Sequence, residues 1–377
     1  MQFKDVIGLH KAKDKLLSQF KQGRVSHAQL FLGPEGGGNF QLALAYAQLI
    51  NCKNPSEDDS CGQCSSCLKY QNFQHPDLTY IFPNNTNENV KKDPQSELFY
   101  KEWVHFLKTK PYFTLEDWTE ELNAENKQLI INKLDIASVN KFLSLRKSEG
   151  KYKVILLWWP EKMNHVASNK ILKMLEEPTP DSIFIMVGHQ SEDLLPTIIS
   201  RLQILNIEKL TTQEITNGLM KIESLPESNA KNIAALCDGD MVKAIKISSN
   251  PESGLIYTDL FIRWMRACYE LRMENLLEWI DEVSNLGREK QKDFITYCLR
   301  MLREVLISNY TDGSLNNMND AESKFSVRFS LFIHAGNINF FHQTLNELNA
   351  AIERNGHPKM QFLSVSLKIC NYLRLKV

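Results

Sequence analysis

Short continuous apolar runs alternate with stretches of helical period through the N-terminal half of the chain. Gln29, Leu30, Phe31, Leu32 and Gly33 read as a short buried strand. From Phe40 to Ile50 the apolar residues Leu42, Ala45 and Leu49 recur at helical spacing. Tyr152–Trp158 is unbroken and carries Val154 and Ile155, the pattern of a parallel strand covered on both faces. A helix is predicted over Val166–Glu177, stopped by Pro178 and Pro180. A third strand follows over Ser182–Val187, then a helical turn toward Ser200 and Arg201, then a last strand over Leu202–Ile207. Strands alternating with helices predict an α/β domain with a parallel sheet. The longest apolar run, Val154–Trp159, has strand length and falls far short of the ~20 residues of a membrane span.

Residues 84–128 break this rhythm. The segment is rich in Asn and in charge, and its aromatics Trp103, Phe106, Tyr112, Phe113 and Trp118 look exposed. One helix is expected, over about Glu97–Lys108. The segment reads either as a packed surface appendage or as a partner site built on those aromatics. After Leu210 the chain turns helical, with compact amphipathic pieces at Thr211–Ile222, Glu227–Cys237 and Met241–Ile247. Asn250, Pro251, Glu252, Ser253 and Gly254 look like a linker. From Leu255 to Val377 helical period persists, as at Leu260, Trp264, Met265 and Cys268. A separate all-α C-terminal domain is expected, with no internal repeat.

Composition narrows the picture without deciding it. The 377 residues, with 43% apolar and 24% charged side chains, suit an ordinary soluble protein of two or three domains. A formal net charge of −1 gives no polyanion-binding signature. The first residues carry no apolar stretch of the signal-peptide kind, so a cytoplasmic location is expected. Cys237, Cys268, Cys298 and Cys370 are scattered through helical patterns and read as small buried apolar residues. Cys52, Cys61, Cys64 and Cys67 are clustered instead. Four thiolates in that spacing form a closed tetrahedral site, structural rather than catalytic, with Gly62 easing the turn. Zinc is expected there; the alternative is a set of reduced or disulfide-forming cysteines.

The candidate chemistry lies in Gly33-Pro34-Glu35-Gly36-Gly37-Gly38-Asn39-Phe40, which follows a strand and opens a helix. This is the frame of a phosphate-binding loop. In working loops glycines let backbone N–H groups cradle phosphates, a Lys reaches the outer phosphates and a hydroxyl holds Mg²⁺. Gly33, Gly36 and Gly38 keep the frame, but Asn39 stands at the Lys position and Phe40 at the hydroxyl position. Such a loop also needs an Asp-Glu pair at the end of a neighbouring strand. Here Trp158 and Trp159 occupy those places, and Glu161 comes later and is expected to point elsewhere. ATP hydrolysis is therefore not expected, while nucleotide binding without hydrolysis stays open.

Several runs resemble the AAA+ subunits of bacterial clamp loaders. They are Phe3-Lys4-Asp5-Val6-Ile7-Gly8, Ser26-His27-Ala28-Gln29-Leu30-Phe31-Leu32-Gly33-Pro34-Glu35-Gly36, the four cysteines followed by His75-Pro76-Asp77, Ala167–Pro178, and Leu195-Pro196-Thr197-Ile198-Ile199-Ser200-Arg201-Leu202-Gln203. They cover about residues 1–205 in order. The altered loop and missing acids match the delta-prime branch rather than the gamma/tau motors, which keep them. The resemblance implies an AAA+ α/β domain over 1–207 with a zinc module at 52–67 and the insertion at 84–128. A small helical lid over 208–250 and an all-α collar over 255–377 would follow. It also implies a non-hydrolysing subunit of the DNA polymerase III clamp loader, in a hetero-pentamer with motor and delta subunits that loads the sliding clamp on primed DNA. Arg201, with Ser200, would serve a neighbour's ATP site as an arginine finger; the plain alternative is a strand-flanking cation. The chain departs from the family at Leu202, usually Cys, and at Val187-Gly188 and Val242, where sensor side chains are missing. Two rival readings remain: an active P-loop ATPase motor, and a zinc-bearing DNA-binding module, against which the near-zero charge argues.

Overall fold

A parallel sheet forms where the continuous apolar runs fall. The computed structural model describes residues 1–124, 127–249, 251–309, 318 and 320–375. Its five strands are β1 (Ala28–Leu32), β2 (Leu78–Ile81), β3 (Lys153–Trp158), β4 (Ser182–Gly188) and β5 (Gln203–Asn206), in the order β2-β3-β4-β1-β5. All pairs are parallel, with Leu30 of β1 opposite Met186 of β4 and Ile204 of β5. Every residue of β3 and β4 is buried, as unbroken apolar strands require when helices cover both faces. β2 has no counterpart in the sequence reading. Its four residues, Leu78–Ile81, followed by the aromatic Phe82, carry too little period to be told from a loop. The helices His10–Lys21 and Lys133–Ser144 are likewise additions. The second starts from a capping box in which Asn132 and Asp135 satisfy each other's backbone N–H.

The chain divides into two compact units, one of Met1–Gly218 with Asp238–Lys243, the other of Leu219–Cys237 with Ala244–Val377. In the second unit Leu260, Trp264, Trp279, Phe294 and Phe362 build a shared core. Trp264 stacks on Trp279 at 4.7 Å and donates its Nε1–H to Ser366 Oγ at 2.8 Å. The expected linker is not one: Pro251–Glu270 is a single helix, and Asn250 lies outside the described residues. Pro251 is its first helical residue, where a missing N–H costs nothing. No helix among the described residues is long and apolar enough to cross a membrane.

The 84–128 segment departs most from its expected form. It holds two helices, Tyr100–Thr109 and Leu115–Glu121, and its residues 125–126 lie outside the described set. Trp103, Phe106 and Trp118 are fully buried, and Tyr112 and Phe113 nearly so. These aromatics are core rather than surface. The base of the segment is closed by an antiparallel bridge, Asn84 to Ile130. Asp135 adds a buried clasp, accepting hydrogen bonds from Ser96 N (2.7 Å), Ser96 Oγ (2.9 Å) and Asn84 Nδ2 (3.1 Å).

Candidate functional site

The glycine loop leaves the C-terminal end of β1 and enters the helix Asn39–Ile50, the strand–turn–helix context a phosphate loop requires. Gly36 (φ +74°) and Gly38 (φ +88°) sit in the left-handed region that glycine enters freely. Gly36 also lies against Asp240: a Cβ there would come within 2.0 Å of Asp240 Oδ1. Its carbonyl accepts from Met241 N at 3.1 Å. Asn39 does not reach outward as the motif's Lys would. Its amide turns back to donate to Pro34 O at 3.0 Å.

The space above the loop is filled by this chain's own aromatics. Phe40 packs against Phe113 (5.2 Å), Trp103 (5.7 Å) and Trp158 (6.3 Å). Phe113 and Trp158 meet at 5.2 Å. Two rings that replace catalytic groups thus pack together with rings from the insertion. The Tyr112 ring lies over Gly38, and its Oη accepts the Ile7 N–H at 3.0 Å. Gln41 Nε2 donates to Pro111 O, and Leu115 N donates to Glu35 Oε1, both at 2.6 Å. The room left beside Pro34, Gly36, Tyr112, Phe113 and Trp158 is about 10 Å³. That is about the least a single water needs, and small-molecule sites run to roughly 300–1,000 Å³.

The ends of β3 and β4 are equally closed. Trp158 joins the aromatic cluster, while Trp159 (φ +57°) turns to the His189 ring at 4.4 Å. Glu161 is directed at backbone: its Oε1 accepts from His189 N and from Gln190 N (2.9 Å). Burial pushes its carboxyl up from the usual range. Gly188 leaves no room for a sensor side chain, since a Cβ there would meet Glu161 Oε1 at 2.8 Å. His189 donates its Nδ1–H to Gly33 O at 2.9 Å, and burial holds its imidazole near about 4. The sequence reading missed His189 and Asp240, and it named Tyr112 only as a candidate partner-site aromatic, not as a wall of the loop. No motif marks them, and their importance comes only from what the fold sets beside the loop.

Arg201 lies at the other end of the sheet. It precedes β5, whose Gln203 pairs with Gln29 near the start of β1, whereas the glycine loop leaves β1 after Leu32. The strand rise separates Arg201 from its own loop by on the order of 15 Å. Its guanidinium pairs with Glu176 Oε1 at 2.5 Å and donates to Thr197 O at 2.7 Å and Ser200 Oγ at 3.3 Å. Ser200 Oγ in turn donates to Thr197 O at 3.1 Å. About a third of the Arg201 side chain stays exposed (35%).

Cys52, Cys61, Cys64 and Cys67 converge, with all four Sγ atoms within 4.8 Å of one another and Cys61 Sγ 3.9 Å from Cys67 Sγ. A tetrahedral Zn–S₄ centre sets sulfurs ~3.8 Å apart, so the donor set fits such an ion. Backbone N–H groups of Cys61 and Cys64 point at Cys52 Sγ (3.2 Å) and Cys61 Sγ (3.3 Å), hydrogen bonds that favour thiolates. Hydrogen bonds from Gln63 and Cys64 hold the Cys61 thiol down at about 6. Asp59, in the same module, ties down the N-terminus by accepting from Phe3 N and Lys4 N at 3.0 Å.

A family model described as "DNA polymerase III, delta subunit" matches residues 8–211 of the 377, more than half of the chain. DNA polymerase III subunit tau of Bacillus subtilis is 24% identical over 98% of this chain and 61% of its own length. DNA polymerase III subunit delta' of the same organism is 24% identical over 63% of this chain and 58% of its own length. The delta' subunit of Pseudomonas aeruginosa is 30% identical over 48% of this chain and 43% of its own length. The chain thus spans about half of the length of the relatives it matches. A solved DNA polymerase III gamma subunit-related protein from Thermotoga maritima aligns over 95% of this chain and 100% of its own, with 15% identity and a TM-score of 0.35.

Proposed function

We propose a role that starts from family membership: this chain belongs to the family described as DNA polymerase III, delta subunit, and is a clamp-loader subunit. Within that family we read it as a delta-prime-type subunit that hydrolyses no ATP. It acts as a stator in a hetero-pentamer with motor (gamma/tau) and delta subunits, in the cytoplasm, during sliding-clamp loading on primed DNA. The observation that carries this reading is the filled phosphate loop. A site with about 10 Å³ of room, walled by Phe40, Phe113, Tyr112 and Trp158, has no place for a triphosphate and its metal. The Lys, the hydroxyl and both acids that would stabilise transferring phosphate charge are absent as well.

Arg201 is the group we assign to a neighbour's ATP, with Ser200 beside it. Its separation from its own loop argues against service in cis, and its present partner Glu176 is half exposed. An exposed pair of that kind is worth about 0–1 kcal/mol, so a γ-phosphate can draw the guanidinium away. We further assign the four-cysteine site to structural zinc, residues 208–250 to a lid and 255–377 to a collar that holds the ring.

The test is reconstitution with the organism's own motor and delta subunits. Clamp- and DNA-stimulated ATPase is compared for wild type, Arg201→Lys and Arg201→Ala. We expect a fall of at least about 10³-fold for Arg201→Ala with the assembly intact, and little rescue by Lys. Unchanged turnover in an intact ring would remove the trans role. The match of nearly this whole chain to 61% of a tau subunit favours a second reading, an active ATPase. Turnover by the isolated chain, lost in no phosphate-loop variant, would mark a contaminant; turnover lost in Asn39→Ala would establish that second reading.

A further inference from the structure

The helical unit carries a groove of about 450 Å³ between the helices Pro251–Glu270 and Asp320–Phe329. Its floor is apolar and aromatic: Met265, Phe325, Phe329 and Phe332, with Tyr269 edged against Phe332 at 4.9 Å. Its rim is cationic, with Arg266, Lys324 and Arg328 all exposed. Among the described residues none of the three has an ion-pair partner. Among the described lining residues the one carboxylate, Glu270, is engaged by Arg272 at 3.2 Å. In the same stretch of chain, Val327 and Leu331 are among the most exposed apolar side chains of the described residues, at 73% and 79%.

We propose that this groove is a docking site for an acidic segment of a partner protein that carries an aromatic or aliphatic anchor. Charge complementarity selects the occupant: unspent cations flank a floor that only apolar side chains satisfy. The volume lies within the range of ligand sites and admits two or three large side chains. Anchors of that type in a desolvated pocket, ringed by charges of the opposite sign, carry most of the binding energy in peptide-like interfaces. Single-stranded nucleic acid fits less well. Its bases stack on open aromatic faces, whereas here Phe325 and Phe329 line the floor of a groove and Phe329 is buried. The inference stands on the helical unit alone and needs neither Arg201 nor the phosphate loop.

The experiment uses the full chain and fluorescence anisotropy with three labelled probes. They are a short peptide of Asp and Glu around a Leu-Phe pair, its counterpart with Lys at every acidic position, and an oligothymidylate. We expect saturable binding of the acidic peptide alone, weakening with salt. The pair Arg266→Glu with Arg328→Glu should reduce it at least about tenfold, and the pair Arg266→Lys with Arg328→Lys should restore it. All four substitutions are at exposed positions, so unchanged thermal unfolding separates lost binding from lost fold. Equal binding of the Lys peptide, binding of oligothymidylate without the acidic peptide, or no effect of charge reversal would each overturn the proposal. So would concentration-dependent self-association of the chain that charge reversal abolishes while the acidic peptide fails to bind. Arg201-dependent ATPase, measured in parallel, reports on the clamp-loader reading separately.

Discussion

Replacing Trp103 by alanine asks whether residues 84–128 are part of the core. The indole is fully buried and lies among rings from every side of the site. Phe82, just after β2, stacks on it at 4.2 Å; Trp118 of the insertion meets it edge-on at 4.9 Å; Trp158 of β3 lies at 5.3 Å and Phe40 of the loop helix at 5.7 Å. Truncating a buried Trp costs about 3–5 kcal/mol through lost transfer energy and the cavity left behind. Among the described residues the indole Nε1–H has no acceptor, so removing it relieves part of that cost. We therefore expect about 3 kcal/mol, a fifth to three fifths of the roughly 5–15 kcal/mol that holds a typical domain together. At ~2–4 °C per kcal/mol for a unit of this size, the midpoint should fall by about 6–12 °C. Thermal unfolding followed by near-ultraviolet circular dichroism measures it, with half-exposed Leu98→Ala as the control in the same segment. Leu98→Ala should change stability by less than ~0.5 kcal/mol. A Trp103→Ala loss below about 1 kcal/mol would refute the reasoning, because a loosely attached appendage predicts that result.

Other expectations follow from the same geometry. Gly36→Ala should cost at least about 2 kcal/mol with no nucleotide present, since φ is +74° and the new Cβ would meet Asp240; Gly37→Ala, at ordinary φ, should cost less in the same melt. The double variant Asn39→Lys with Phe40→Thr should still give no calorimetric heat with ATP, because Phe113, Tyr112 and Trp158 continue to fill the space; micromolar binding would contradict the plug. Because His189 is held near about 4 rather than 6.5, the unfolded chain takes up its proton first as pH falls. Stability present above about pH 6.5 should decline toward pH 4 by on the order of 3 kcal/mol, and urea titrations of His189→Gln should lack that slope. Glu161, pushed up by burial, works in the opposite direction, so the difference between the two proteins is the readout. Cys64→Ser should lower bound zinc, measured by elemental analysis, from about one equivalent to a small fraction; full retention would exclude this ligand set.

The sheet and the phosphate loop were legible because each rests on a local signal. Unbroken apolar runs specify β1, β3 and β4, and the order strand, glycines, helix specifies the loop. The cysteine spacing was legible for the same reason, and the four sulfurs do converge. What the chain concealed is how its irregularities depend on one another. Phe40 and Trp158 read, position by position, as lost chemistry, and the Asn-rich, charged insertion read as a surface appendage or an aromatic partner site. In the fold they are parts of one object. A phenylalanine in place of a hydroxyl and a tryptophan in place of a carboxylate create bare apolar surface at the mouth of the site, where a working enzyme keeps polar groups and water. Left open, that surface would cost roughly 25 cal/mol per Å² exposed. Trp103, Tyr112 and Phe113 cover it. The coupling runs both ways, because the insertion's own aromatics have no other core to enter: Phe106 packs on Phe113 at 4.8 Å and on Trp118 at 5.2 Å, within the same cluster. Each half packs its rings against the other, so restoring catalytic side chains alone is expected to leave the site filled. Deleting the insertion alone would expose Phe40 and Trp158 rather than return a nucleotide pocket.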